Sequence, residues 1–363
     1  MARGARHNRR VTTSRELYLR IREASVGVLD LISIQLGRRL GLYAALAAGE
    51  VTAPELADRT GLNTRMVREW LEQQAVTGFA ELVSTEGEPD QWRYRLPDAT
   101  REAFTDPDSL SFAAPMADEV LRVPGRIGDL DEAFRTGTGM HQPYHWVEGR
   151  PDGTRSMFLT LLGSEWLPAV PELHERLSSA PPARIADVGV GSGWSSIAMA
   201  RAYPDVMVDG YDLDELAIGY AQKHARDAGL DDRVTFLAGD VTKFDTSGRY
   251  DLVTIFEALH DLSQPVAVLA QLRATLAEGG IVLVADERVP DQIVAPGPVL
   301  DRAHYGWSVL NCLPAVMTDP DSAETGAVMR IDTLRRYAAG AGYSAVDVLP
   351  IEHDEWRLYR LRP

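Results

Sequence analysis

Residues Arg184 to Ser196 read R-I-A-D-V-G-V-G-S-G-W-S-S. An apolar run of Ile185, Ala186 and Val188 carries one acid, Asp187, and glycines follow at alternate positions, Gly189, Gly191 and Gly193. This is the pattern of a buried strand turning sharply into a helix through a loop whose backbone approaches a ligand. Glycine suits such a loop because it reaches φ > 0 and has no Cβ to block the approach. The spacing is G-x-G-x-G, not the G-x-G-x-x-G of the dinucleotide fingerprint.

Downstream of this loop strand and helix patterns alternate, which implies a parallel sheet. Strands are expected at Ile185–Val188, Met207–Tyr211, Val234–Ala238, Leu252–Phe256 and Ile281–Asp286. Helices are expected at Ser195–Ala202, Glu215–Asp227, Pro265–Leu276 and Asp332–Ala341. Ser344–Pro350 and Arg357–Leu361 read as a hairpin-like edge. Ligands of such sheets sit beyond the carboxyl ends of the strands, so the residues that close each strand are the candidates for chemistry. The second strand closes Gly210-Tyr-Asp-Leu-Asp214, with Asp212 placed for a ribose diol and Asp214 for capping the next helix. The third closes Ala238-Gly-Asp240-Val241, an acid for an exocyclic amine and an apolar cover for a ring; the fourth closes Phe256-Glu-Ala-Leu-His-Asp261.

Upstream, helical periodicity runs over residues 15 to 49. Thr52-Ala-Pro-Glu55 is a capping box with proline just inside the helix, and Asn63 caps a second helix that Gly78 closes. Strands near Ala80–Val83 and Trp92–Leu96 flank the acidic turn Glu86-Gly-Glu-Pro-Asp90. Three helices and a hairpin form a winged-helix pattern. Its would-be recognition helix mixes Arg65 and Arg68 with Glu69 and Glu72 and its wing is acidic, which argues for dimerisation or cleft walling over DNA binding. The expected organisation is a flexible basic tail over residues 1–25, a winged-helix dimerisation domain over 26–105, a helical connector or lid over 106–180, and an α/β domain over 181–363. Gly139-Met-His-Gln-Pro-Tyr-His-Trp146 is the candidate lid, with packing between domains as its alternative.

The net charge of −16 argues against a phosphate-binding surface. No apolar stretch reaches the ~20 residues of a membrane span, and the basic start has no apolar run behind it, so no membrane or secretory role is expected. One cysteine, Cys312, among 363 residues rules out an intrachain disulfide and suits a reducing cytoplasm.

From Pro182 to Pro290 the chain resembles the class I S-adenosylmethionine (SAM)-dependent methyltransferases. With the winged-helix region it is similar to bacterial small-molecule methyltransferases that share the plant O-methyltransferase architecture. The resemblance implies a Rossmann-like parallel-sheet domain preceded by a winged-helix domain, and SAM held by Asp187, Gly189, Gly191, Gly193, Asp212, Leu213, Asp240, Val241 and Glu257; the N-terminal helices, richer in Leu and Ile than a solvated arm needs, lead us to expect a homodimer. Leu259-His-Asp-Leu-Ser-Gln-Pro resembles the family's L-H-D-W segment, which makes His260 the candidate general base and Asp261 its companion, either orienting the imidazole or capping a helix. Ala277-Glu-Gly-Gly280 and the following strand to Asp286-Glu287 match the family's next strand. His141, His145 and His304 are weaker candidates.

Oxygen is the expected acceptor atom, given the histidine. Relatives that C-methylate 2-oxo acids hold a metal with the His-Asp pair and a later histidine in H-C-L-P. Here that segment is Asn311-Cys-Leu-Pro314, and an amide oxygen is a weaker donor than imidazole, so no metal is expected. A scaffold with non-methylating chemistry and a SAM-sensing regulator stay open beside plain transfer.

Overall fold

The computed structural model describes residues 13–140, 153–243 and 247–363, and the chain divides into two compact units, Met1–Arg122 and Val123–Pro363. Most of the proposed lid, with His141 and His145, lies outside the described residues.

In the first unit a helix spans Ser14–Arg39. It begins inside the stretch assigned to a basic tail, because Thr13 and Glu16 form a capping box that satisfies the first backbone amides. Helices Ala53–Thr60 and Thr64–Thr77 follow, the first capped by Thr52 and the second by Asn63, and each ends on a left-handed glycine, Gly61 and Gly78. Strands β1 (Glu81–Ser84) and β2 (Arg93–Arg95) pair antiparallel, and Val51 bridges to Tyr94. Leu42, Leu46, Val51, Leu56, Leu71 and Tyr94 form the core of this winged helix. The arginines of helix Thr64–Thr77 are spent internally: Arg65 pairs with Glu69, and Arg68 with Asp90 at 2.9 Å.

In the second unit the strands are β3 (Arg184–Val188), β4 (Met207–Asp212), β5 (Val234–Ala238), β6 (Tyr250–Phe256), β7 (Leu276–Glu287), β8 (Ala345–Val348) and β9 (Trp356–Arg362). They form one sheet in the order β5-β4-β3-β6-β7-β9-β8. The first five are parallel; β9 runs antiparallel to β7, and β8 antiparallel to β9. The terminal hairpin therefore enters the sheet with its second strand, which buries Leu358, Tyr359 and Leu361 against β7 and leaves β8 as the edge. The chain winds outward from β3 on one side and crosses back to β6 on the other. The switch point lies between β3 and β6, where a crevice opens above the strand ends.

Helices Trp194–Ala202, Glu215–Asp227, Pro265–Thr275 and Ile331–Gly340 cover the faces. Ahead of the sheet, Phe158–Trp166 runs as a π-helix, with Leu167 N–H bonded to Leu162 O, and places Trp166 and Leu167 in the core. Gly193 has φ +83°, and a Cβ there would lie 2.6 Å from Phe236 Cζ and 2.8 Å from Ala221 Cβ. Gly193→Ala is expected to lower unfolding stability by about 2–4 kcal/mol. An unchanged urea midpoint would contradict this reading of the loop.

Candidate active site

Asp187 closes β3 and is fully buried. Its Oδ2 accepts from Ser195 Oγ at 2.5 Å and Ser196 Oγ at 2.7 Å, while its Oδ1 accepts from Thr254 Oγ1 at 2.7 Å. Burial pushes its pKa up, and the three hydroxyls counter that. Both carboxylate oxygens are thus taken within the fold, and the acid acts as a brace. It ties the start of helix Trp194–Ala202 and strand β6 to the glycine loop between them.

The loop itself is strung between strand ends. Gly189 N–H and Val190 N–H both donate to Tyr211 O, at 2.8 and 3.2 Å. Gly189, Gly191 and Gly193 all have positive φ. A Cβ on Gly189 would meet Ala258 Cβ at 2.5 Å, so the turn packs directly against the end of β6. Gly191 N–H donates to Asp212 Oδ2 at 2.8 Å, which joins the loop to the acid closing β4.

Asp212 Oδ1 accepts from Asp214 N–H at 2.9 Å, and among the described residues no cation forms an ion pair with it. Burial raises its pKa, opposed by these amide bonds. A buried carboxylate held only by amides, beside a glycine turn, fits a ribose diol that brings two further donors. Leu213, next in the chain, is 71 % exposed, an apolar side chain available to cover a ring. Asp214 caps helix Glu215–Asp227 through Leu216 N–H and Ala217 N–H.

Asp240, after β5, stands apart: it accepts from Thr242 Oγ1 at 2.7 Å and Thr242 N–H at 2.9 Å, which lower its pKa, and Lys243 Nζ lies 3.4 Å away. Val241 is half-buried and packs against the core. Glu257, just past β6, holds φ +51°, a strained conformation for a non-glycine residue, with its N–H on Ala285 O at 2.8 Å. These residues fit SAM. The brace, the glycine turn and Asp212 lie together at the switch point, and Asp240 and Glu257 close the two flanking strands.

His260 sits on the short turn Leu259–Asp261 beyond β6 and is 2 % exposed. Its Nδ1 is 2.8 Å from Asp286 Oδ1, at the end of β7, and its Nε2 is 3.4 Å from Asp261 Oδ1. The partner on Nδ1 is therefore Asp286, 26 residues downstream, and Asp261 flanks the opposite nitrogen. Burial opposes the charged imidazolium, but Asp286, Asp261 and a hydrogen bond with Cys312 outweigh it and raise the pKa well above 6.5.

In the sequence Asp286 is legible only as the acid that closes an apolar strand. His304 is buried, with Nε2 3.4 Å from Glu287 Oε2. Burial and the neighbouring Asp286 charge push Glu287 up to about 8. At the metal-ligand position of the C-methylating relatives, Asn311 Nδ2 contacts Cys312 Sγ at 3.7 Å, and donor atoms of His260, Asp261 and Cys312 lie within 4.8 Å of one another. Burial pushes the Cys312 thiol up, which keeps it protonated and hydrogen-bonded with His260.

Two family models match the chain: a methyltransferase domain over residues 181–319 and an Rv2258c-like winged HTH domain over 27–105. The chain thus carries a methyltransferase domain preceded by a winged HTH domain, and SAM-dependent methyltransferases are among its relatives and structural neighbours. It is 27 % identical to a tetracenomycin polyketide synthesis 8-O-methyl transferase of Streptomyces glaucescens, over 78 % of this chain and 80 % of that one. It is 28 % identical to a 3-hydroxy-5-methyl-1-naphthoate 3-O-methyltransferase of Streptomyces sahachiroi, over 74 % and 76 %. In fold it is similar to human N-acetylserotonin methyltransferase in complex with SAM, with a TM-score of 0.67, 17 % identity and coverage of 97 % and 98 %. No helix of the described residues is long and apolar enough to cross a membrane.

Proposed function

We propose that this methyltransferase moves a methyl group from SAM to a hydroxyl oxygen of a small aromatic metabolite, in specialised metabolism, with His260 as general base. The observation that carries the base assignment is the 2.8 Å bond from His260 Nδ1 to Asp286, which leaves Nε2 as the nitrogen that takes a proton. Bound SAM supplies an electrophilic methyl on a cationic sulfur. The chain's own residues do the rest. Asp212 accepts from the ribose hydroxyls, Asp240 from the adenine amine, and Leu213 and Val241 cover the ring. Asp187 keeps the glycine turn in place, and Glu257 borders the site.

As an acceptor hydroxyl approaches, it replaces Cys312 and Asp261 at Nε2, and the imidazole takes its proton. Asp286 stabilises the resulting imidazolium and fixes the ring. Both relatives named above are O-methyltransferases, which supports oxygen over nitrogen or carbon.

Calorimetric titration of metal-stripped protein with SAM and S-adenosylhomocysteine (SAH) tests the first half of this reading. Transfer of labelled methyl to phenols, amines and 2-oxo acids, with and without iron, tests the second. Transfer to phenols without added metal supports O-methylation. Transfer only to 2-oxo acids, and only with iron, would replace it with the C-methylating reading. SAM binding with no transfer would favour the scaffold.

We further infer a cytoplasmic homodimer built on helix Ser14–Arg39. That helix leaves Ile21 66 % and Leu29 61 % exposed, with Leu17, Tyr18, Ile32 and Leu36 also exposed. A monomeric mass by light scattering at micromolar concentration would overturn the dimer.

A further inference from the structure

Helix Val299–Trp307, which follows β7, buries two polar side chains one turn apart: Asp301 is 3 % exposed and His304 5 %. Among the described residues Asp301 Oδ1 and His304 Nδ1 have no hydrogen-bond partner, and neither has Asp286 Oδ2 nearby. Buried polar atoms are nearly always paired, so several orphans in one place call for an explanation. Asp301 also walls a cavity of about 450 Å³ shared with Ile293, Val294, Pro296 and Tyr305. The cavity walls are apolar enough for a ring. His304 reaches the reaction centre through its 3.4 Å contact with Glu287, the residue next to Asp286.

We propose that Asp301 and His304 form an acceptor-recognition subsite for a second hydroxyl of a polyhydroxylated aromatic acceptor, which donates to Asp301 Oδ1 and accepts from His304 Nδ1–H. This deepens the O-methylation reading and rests on it. The donor–acceptor polarity follows from the neighbours. Glu287 Oε2 lies 3.4 Å from His304 Nε2, and burial and the Asp286 charge push its pKa up to about 8. Burial lowers the His304 pKa, which favours the neutral ring, and its buried, unpartnered Nδ1 is the position from which a hydroxyl can accept a hydrogen bond. One donor and one acceptor, side by side on a helix, complement a hydroxyl. A carboxylate on the acceptor is repelled by Asp301 and Asp286.

The test uses full-length protein loaded with SAH for binding, or with SAM for turnover, and compares 1,3-dihydroxynaphthalene with 1-naphthol. The wild type is expected to bind the diol at least about tenfold more tightly. Asp301→Asn and the independent His304→Gln are each expected to reduce this preference to within about threefold. Each should raise KM for the diol by about 10–100-fold while kcat changes far less. Equal affinity for both naphthols, no binding of either, or a preference that survives both substitutions would overturn the subsite. The two proposals separate cleanly. Asp301-dependent diol binding without methyl transfer retains the subsite and removes the O-methylation reading. Methylation of both naphthols without preference does the reverse.

Discussion

His260→Ala lowers the rate of methyl transfer by about 10²–10⁴ and leaves SAM affinity within about threefold. The reason is positional. Among the described residues the imidazole bonds to Asp286 and flanks Asp261 and Cys312, whereas the glycine turn and Asp212 bond to each other and to Tyr211. The proposed base can therefore be removed without touching the loop proposed to hold the cofactor. The pH dependence sharpens the assignment. A general base works in its neutral form, and the His260 pKa is raised well above 6.5. Wild-type kcat/KM is therefore expected to climb through neutral pH and level off on the alkaline side. Asp286→Asn removes the acid that holds Nδ1, so it should slow turnover by about 10²-fold and move this limb to lower pH. An Asp286→Asn enzyme with a slow rate but an unmoved limb would show that the acid only supports the fold. A wild-type profile flat from pH 6 to 9 would remove His260 as the base.

Why Asp286 had to wait for the structure is a matter of sheet order. Each strand end is legible from local pattern: apolar runs of period two, closed by an acid or a glycine, between helices of period 3.6. That pattern gives the glycine turn, Asp212, Asp240 and His260 with their strands, and it places the capped helices of the winged domain to within a residue or two. Which strand ends stand side by side depends on long-range pairing. Parallel registration of Phe256 with Ala285 places the end of β6 beside the end of β7, and only this brings His260 to Asp286. The chain-adjacent acid, Asp261, is the natural candidate as long as distance along the sequence is the only measure available. Asp187 shows the same limit. Its position announces a ligand-facing acid, but its oxygens are consumed by Ser195, Ser196 and Thr254, the last of which is 67 residues away in sequence. The burial of His304 was hidden for a different reason. Helix Val299–Trp307 buries polar Asp301 and His304 while apolar Val299 and Tyr305 stay exposed, so residue type does not mark its buried face. The extent of the first helix was legible in two ways that disagreed, its periodicity and its basic composition, and the Thr13 cap decides for the helix.

Asp212→Ala weakens SAM and SAH binding by about 1–3 kcal/mol, or roughly 5–150-fold in Kd, measured by calorimetry. Two losses combine. The ribose hydroxyls lose a charged acceptor, and the glycine turn loses the anchor that Gly191 N–H finds on Oδ2. Asp212→Asn is no conservative escape: with Gly191 N–H donating to one oxygen and Asp214 N–H to the other, an amide must point its NH₂ group at one of two donors. It should therefore bind SAM nearly as poorly as the alanine variant. Stability is expected to move the other way. The buried carboxylate is desolvated and has its pKa raised, so neutralising it should leave the thermal midpoint of the unliganded protein level or higher. A site that is costly to maintain and is relieved by mutation is the mark of a residue kept for its ligand. If Asp212→Ala instead unfolds the protein while His260→Ala weakens SAM as much as it slows turnover, the separation between the cofactor-holding and proton-removing halves of the site fails.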